Sequence, residues 1–511
     1  MTHATVAELL TAFTDATPDR IDAQFQRLAG ALWRDGTLTE LARPAAATLV
    51  ASLDRIGEDR QGHLLVLLGL LAEAEHPATD GPVAAEVRKG LPRYLELVKN
   101  RDSREPLTLA LLYLLSQFTD DRDQILAAVA DLDLDAEDRS RLERSLQRLD
   151  PDDPDLGRVW PSPSAWPLDE AERAYHQAQT RTLTPAQVAA NWENDSRTVL
   201  AYSGAKAYWA ARHGAPAVVT DAVPPHRPVQ PGPAPEGDIL ARHAAAFRCR
   251  RCGGRLSFGA DGVRCASCGT AYPIANGVLD LTTGITEGTA DEVTADLLSK
   301  LAAMPTLGIY YESVLRPAFL RIAGANWDNA VTPADEDRYL AGHLRPVEGP
   351  VLDVAAGAGR WTEVVARTVG ADRVIALDMA LPMLNVLRAR LPQVPAVLAS
   401  ATALPFDDAS LGAVNCWNAL QAFPDDAAAG IAEMGRCLRP GGSFTMMTFR
   451  WDDDPIARYF QASHYFPSRL EGMLLFTVDE IRQWLTDAGM TVRDISGQGT
   501  FVFVTAEKTK A

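Results

Sequence analysis

The hydrophobic pattern changes character along the chain. Residues 1–150 carry apolar side chains at helical spacing, without alternating runs, which predicts helices throughout. Two nine-residue apolar segments, Leu64–Ala72 and Leu107–Leu115, lie 43 residues apart. That offset falls within the period of HEAT-like repeats, and an ordinary helical bundle fits equally well. The acids around Asp131–Asp135 read as a loop or helix start rather than a strand. Trp160–Pro167 breaks the pattern, and helices are expected to resume at Asp169 and over Pro185–His213. Pro224–Pro233 reads as a stiff linker. From residue 346 the pattern alternates. Val351–Val354, Val374–Leu377, Ala413–Trp417 and Ser443–Phe449 read as strands, Ile431–Leu438 as a helix, and Val492–Ile495 with Phe501–Val504 as a closing hairpin. Thr477 with Glu480 has the spacing of a capping box opening a late helix. Alternating strands and helices predict an α/β core with a parallel sheet.

The expected plan is multidomain: a helical domain at 1–155, a helical segment and Pro-rich linker at 156–240, a ribbon at 245–285, a helical cover of the active site at 286–345, and an α/β core at 346–508. A length of 511 residues agrees with several cores. The net charge of −18 disfavours broad nucleic-acid binding through phosphate neutralisation. Met1-Thr2-His3-Ala4 lacks the basic start and apolar core of a signal peptide, and the apolar run around Leu64–Ala72 is too short to cross a bilayer. Six cysteines in a chain of this length do not make a disulfide framework. A reducing cytoplasm is the expected compartment, with no membrane association.

The chemistry begins at residues 351–359, Val-Leu-Asp-Val-Ala-Ala-Gly-Ala-Gly. A strand delivers Asp353, a small-residue turn follows, and a helix starts near Arg360. Gly357 and Gly359 let the backbone approach a ligand closely. Asp378 ends the next strand, well placed to accept hydrogen bonds from two ribose hydroxyls. A dinucleotide fingerprint would need a third glycine at Thr362, which is absent. The turn instead resembles motif I of the class I methyltransferases that use S-adenosylmethionine, with Ala355 in place of the usual first glycine. Ala403-Leu404-Pro405-Phe406-Asp407-Asp408 resembles a loop of the ubiquinone-type small-molecule methyltransferases, and Leu438-Arg439-Pro440-Gly441-Gly442 resembles another turn of that family. The resemblance implies a Rossmann-like fold and a cofactor site formed by Asp353, Ala355, Gly357, Gly359, Asp378, Met379, Ser400, Ala401, Leu404 and Trp417. Two positions depart from the pattern. Ser400 stands where an adenine-contacting acid often lies, and Leu411-Gly412 replaces a Phe-Asp pair. Adenine recognition is therefore expected to lean on Met379, Ala401 and Leu404.

Cys249-Arg250-Arg251-Cys252 and Cys265-Ala266-Ser267-Cys268 form two C-x-x-C knuckles with twelve residues between them. Four thiolates suit a closed, structural zinc site, which predicts a zinc ribbon. Arginines 242, 248, 250, 251, 255 and 264 surround it, as a solvated face or an RNA-facing patch. The segment Ala271–Leu281 resembles the end of ribbons fused to or partnering methyltransferases. One such group is an rRNA guanine-N1 methyltransferase family. The closer resemblance is to a plant plastid methyltransferase family, shared over about residues 245–490 through Leu279-Asp280-Leu281, Tyr310, Tyr311-Glu312-Ser313, Arg316-Pro317 and the Ala419–Phe449 run.

Methyl transfer needs a positioned nucleophile, and some acceptors also need a general base. His464 is the expected base, on a segment after the fifth strand that covers the substrate in such folds. Tyr310 and Tyr311 would close over the cofactor, while Trp417 and Gln421 would line the acceptor pocket with His464. The expected activity is S-adenosylmethionine-dependent methylation of a small molecule, in specialised metabolism. One alternative is an RNA base methyltransferase using the basic ribbon. Another is a non-enzymatic interaction protein whose helical repeat binds a protein partner.

Overall fold

The computed structural model describes residues 5–78, 81–99, 101–150, 152, 169–218, 239–259, 262–282, 312, 315–464 and 472–510. The chain divides into two compact units. One comprises residues 1–221 with 452–465, the other 222–451 with 466–511.

Among its described residues, the first unit is helical apart from a short hairpin, β1 (Trp33–Arg34) and β2 (Thr37–Leu38). The two apolar segments of the sequence form the helices Glu58–Glu73 and Pro106–Leu115, buried almost along their full lengths. They run in the same direction. Gly62 lies beside the Pro106 carbonyl, and about two to three turns further on Gly69 and Glu73 meet Tyr113. A Cβ on Gly69 would sit 2.4 Å from the Tyr113 ring, so glycine permits this close approach. Asp135 caps the helix Ala136–Ser145, which resolves the acidic stretch as a helix start. The long helix Pro185–His213 begins with a Thr184–Gln187 capping box and ends at Gly214 in the left-handed region.

A helix from far along the sequence completes this unit. Asp454 caps Pro455–Ser463 by accepting from the amides of Ile456 and Ala457. The same carboxylate accepts from Tyr208 Oη at 2.7 Å and Gln26 Nε2 at 2.7 Å. Tyr459 donates to the buried Glu73, and Phe460 packs edge-on against Tyr113.

The second unit is built on a nine-stranded sheet. Its strands are β6 (Ile274–Ala275), β7 (Val278–Asp280), β8 (Val351–Val354), β9 (Val374–Asp378), β10 (Ala396–Leu398), β11 (Leu411–Trp417), β12 (Leu438–Phe449), β13 (Met490–Ser496) and β14 (Phe501–Lys508). The spatial order is β13-β14-β12-β11-β8-β9-β10-β7-β6. Strands β7 to β12 pair in parallel, and β14 joins antiparallel to β12. The central strands are buried along nearly every residue, as parallel strands covered on both faces must be. The capping box at Thr477 and Glu480 is present. A separate antiparallel sheet, β3 (Leu256–Gly259), β4 (Gly262–Cys265) and β5 (Ala271–Tyr272), carries the cysteine knuckles. The hairpin β6–β7 turns through Asn276 and Gly277, both at positive φ, as a two-residue hairpin turn requires. It belongs to the large sheet, so the chain leaving the knuckles adds an edge to the α/β core.

Candidate functional site

The turn after β8 is held from below by Asp353. This side chain is 2% exposed. One oxygen accepts from Thr362 Oγ1 at 2.5 Å and the other from Asn415 Nδ2 at 2.6 Å, with Thr445 bonded in turn to Asn415. Burial raises its carboxyl to about 6. The bonds from Thr362 and Asn415 oppose the rise, and Asp378 adds to it. Asp353 thus ties β8, β11 and the helix Arg360–Val369 together, with its oxygens turned into the protein.

Above it the backbone bends sharply. Ala355, Gly357 and Gly359 have φ of 55°, 53° and 89°. Gly357 N donates to Asp378 Oδ2 at 2.9 Å and Ala380 N to Asp378 Oδ1 at 2.8 Å. Asp378 therefore staples the turn to the end of β9 while staying partly exposed. Burial raises its carboxyl, and the backbone donors at Ala380 and Gly357 oppose this. A Cβ on Gly357 would meet nothing within 4 Å, so the backbone here borders open space. On Gly359 it would lie 2.9 Å from Leu387, so that glycine serves helix packing. Met379 and Leu381 leave apolar side chains 44% and 38% exposed beside Asp378. Ser400 and Ala401 are half-buried on the loop after β10, whereas Leu404 is fully buried in the core.

The expected acceptor residues are placed differently. Trp417 is buried at the end of β11, donates from Nε1 to Glu336 Oε2 at 2.8 Å and stacks on Phe503. Gln421 is buried too, bonded to Asn418 and Thr448. Both are turned into internal networks. Glu336 also holds Arg316 at 2.5 Å, and that guanidinium lies 4.3 Å from the Trp361 ring centre. No local pattern in the sequence signals this group, because Arg316, Glu336 and Trp417 come from three separate elements. Tyr310 and Tyr311 lie outside the described residues.

His464 belongs to the helical unit. It follows the helix Pro455–Ser463 and is fully buried. Burial, with the positive charge of Arg141 second, lowers its imidazole to about 3. An imidazole held this far down is a poor proton acceptor near neutrality. The expected substrate-covering segment has become a core helix, because Tyr459 and Phe460 bind Glu73 and Tyr113.

The four knuckle cysteines converge, with all their Sγ atoms within 4.8 Å of one another. Cys249 and Cys268 are 3.7 Å apart, and Cys252 and Cys265 3.5 Å. Gly253 and Gly269, each after a knuckle, sit at positive φ. Amides of Ser267 and Cys268 point at Cys265 Sγ, 3.4 Å away, and the Tyr272 hydroxyl lies 3.0 Å from Cys249 Sγ.

Comparison with known proteins bears on the α/β unit. The model of the family described as "Methyltransferase domain" matches residues 351–442, from the start of β8 through the Pro440–Gly442 turn. The protein is an S-adenosylmethionine-dependent methyltransferase. The methyltransferase is 29% identical over 263 residues to an uncharacterised chloroplastic methyltransferase of Arabidopsis thaliana, covering 48% of this chain and 70% of the relative. It is 42% identical over 99 residues to a demethylmenaquinone methyltransferase of Renibacterium salmoninarum, covering 19% of this chain and 40% of that protein. A second chloroplastic relative from Arabidopsis is covered over 54% of its length, so the chain spans about half of some curated relatives it matches. Among solved structures, geranyl diphosphate C-methyltransferase from Streptomyces coelicolor gives a TM-score of 0.29 at 15% identity, over 34% of this chain and 76% of that one. Among the described residues, no helix is long and apolar enough to cross a membrane.

Proposed function

We propose that the methyltransferase acts on a small-molecule acceptor, and that its four-cysteine module binds a structural zinc. The observation that carries the cofactor assignment is the pairing of Asp378 with Gly357. A partly exposed carboxylate, already bonded to two backbone amides, keeps lone pairs for a diol, and the glycine beside it borders open space. S-adenosylmethionine, when bound, supplies an activated methyl group. Asp378 would hold its ribose, Met379 and Ala401 would flank its adenine, and the backbone at Ala355, Gly357 and Gly359 would face the amino acid portion. Asp353 and Thr362 set the shape of that turn from beneath. With His464 buried and neutral, this chain's contribution to the transfer is positioning rather than base catalysis.

The small-molecule reading is supported by the resemblance of the Ala403–Asp408 loop and by the menaquinone-type relative, which shares only a short stretch. An RNA acceptor keeps one favourable observation, the exposed Arg251, Arg255 and Arg264. Two other arginines of that group are committed elsewhere: Arg248 faces Asp408, and Arg250 reaches the Leu404 carbonyl. The sulfur spacings fit zinc, because a tetrahedral site with Zn–S bonds of about 2.3 Å needs S···S separations of about 3.8 Å. Reduced thiolates favour a reducing compartment such as the cytoplasm. In the helical unit, the parallel packing of two equivalent helices supports a HEAT-like stack over an up-and-down bundle. Calorimetry with S-adenosylhomocysteine tests the assignment. Binding is expected, and its absence in the zinc-loaded wild type overturns it.

A further inference from the structure

The loop between β10 and β11 carries Ser400, Ala401 and Leu404, the side of the cofactor site assigned above to adenine. Its two flanks are both held by the cysteine module. On entry to the module, Ala246–Arg248 forms an antiparallel bridge with the loop. Arg248 N donates to the Pro405 carbonyl at 3.0 Å, and Asp407 N donates to the Ala246 carbonyl at 2.9 Å. Phe247 and Phe406, 1% and 0% exposed, pack against each other at a tilt, with ring centres 4.9 Å apart. The Leu404 carbonyl receives guanidinium groups from Arg250 and Arg436, and its amide donates to Glu433. On leaving the module, β7 pairs with β10 from Val278–Ala396 to Asp280–Leu398, and Leu281 N extends the ladder to the Leu398 carbonyl.

The bridge lies one residue from a metal-ligand position. Cys249 follows Arg248, and its amide closes the first knuckle on the Gly254 carbonyl at 2.7 Å. The sheet β3-β4-β5 has strands of only four, four and two residues, and Leu256, Val263 and Tyr272 supply most of its buried apolar side chains. These side chains join the α/β core alongside Phe247 and Phe406, so the small sheet has little apolar burial of its own and a bound metal would be the staple that orders it. We infer that the cysteine module is a clamp on the cofactor site: with metal bound, it fixes residues 398–407, and cofactor affinity depends on that clamp. This rests on the cofactor assignment made above. Phe247 and Arg250 are positioning residues in this scheme, acting through the loop and not on the substrate.

The test combines hydrogen exchange of the full chain with calorimetry, using S-adenosylhomocysteine as the probe. Removing the metal with a chelator should speed exchange at residues 404–407 at least tenfold and weaken binding at least tenfold. Exchange in β12 and β14 should stay unchanged, which separates loosening of the clamp from general unfolding. Phe247→Ala should give the same two changes while retaining one zinc per chain, and Arg264→Ser should give neither. The clamp is overturned if the metal-free chain or Phe247→Ala keeps both loop protection and affinity. It is also overturned if β12 and β14 lose protection together with the loop in Phe247→Ala. Should the zinc-loaded wild type bind no S-adenosylhomocysteine, the proposed function falls, and the exchange pattern alone then decides whether the module holds the loop.

Discussion

The two units place their difficult groups differently. The helical unit buries charge and satisfies it internally. Arg144 meets Asp195 at 2.6 Å, Lys206 holds Asp138 at 2.6 Å, and Glu73 accepts from two tyrosines. The α/β unit instead concentrates strained backbone. Among the described residues, six of the seven non-glycine positions with positive φ lie in it, and two of these, Ala355 and Asn418, directly follow β8 and β11. Left-handed backbone costs an alanine about 1–2 kcal/mol, so it persists where the surroundings impose it. At the turn after β8 the bent backbone is bonded directly to a partly exposed carboxylate, Asp378, which is why the reaction is assigned there. The helical unit holds its buried charges in closed pairs.

The sharpest way to break this contrast is to fill the turn. Gly357→Val adds a branched side chain at φ 53° and projects it into open space. S-adenosylhomocysteine binding should fall by about a hundredfold or more, the equivalent of at least ~2.7 kcal/mol. Asp378→Ala should cost about 1.5–3 kcal/mol of binding, as for hydrogen bonds to a charged group. Neither change should move the unfolding of the helical unit. If calorimetry shows affinities within threefold of wild type, the site is elsewhere.

The converse change is Glu73→Ala. It leaves the Tyr113 and Tyr459 hydroxyls without their acceptor inside a packed core, which should cost about 2–4 kcal/mol. The helix Pro455–Ser463 should lose exchange protection first. S-adenosylhomocysteine affinity should change less than twofold, and a large loss would show that the helical unit does more than support.

Acid should separate two buried groups, one in each unit, by sign. The Asp353 carboxyl is raised to about 6 in the folded state from 3.8. Its contribution is therefore complete below about pH 4 and lost as pH rises through 6. Asp353→Asn should remove that slope, worth about 2–3 kcal/mol. His464 has the opposite sign. Its imidazole is depressed from 6.5 to about 3, so its contribution is present above 6.5 and lost as pH falls. Comparing wild type with His464→Gln between pH 7 and 4.5 isolates this group from Glu73, Asp138 and Asp195, whose carboxyls burial raises. A difference that grows as pH falls would contradict the burial of a neutral ring.

What the sequence disclosed were local patterns. The glycine turn, Asp378 at the end of the next strand, and the cysteine spacing each follow from a few neighbouring residues. The exact span of Pro185–His213 was readable because its two caps are local as well. Long-range choices were hidden. Pro455–Ser463 looked like a cover for the substrate, since nothing near it in sequence reveals Glu73 as its partner. Strands β6 and β7 are too short to register as sheet, so they were read as the tail of a ribbon. The pairing of Arg316 with Glu336 was hidden because the two lie 20 residues apart on separate helices, and only their mutual contact allows both to be buried. Asp353 was expected to touch the cofactor, and its position in sequence could not show that Thr362 and Asn415 already occupy it.

The smallest expected effect is the most specific test of strain in the turn. Ala355 and Gly357 have nearly the same φ, 55° and 53°, but only Gly357 is spared the cost of a Cβ. Gly357→Ala should destabilise the α/β unit by about 0.5–1 kcal/mol, because the added methyl meets no neighbour and a backbone penalty of about 1–2 kcal/mol exceeds the roughly 0.4–1 kcal/mol that a stiffer unfolded chain returns. Ala355→Gly should act in the opposite direction and more weakly. Relief of strain gains about 1 kcal/mol, while the freer unfolded chain takes back about 0.4–1 kcal/mol. The net change should lie between zero and about +0.5 kcal/mol, with S-adenosylhomocysteine affinity unchanged. Denaturant unfolding resolves differences of this size when midpoints are compared at constant slope. A loss above about 1 kcal/mol in Ala355→Gly would mean that the methyl packs against the core more than it strains the backbone. The turn would then be held by packing, and the contrast between a strained site and the helical unit would rest on Gly357 and Gly359 alone.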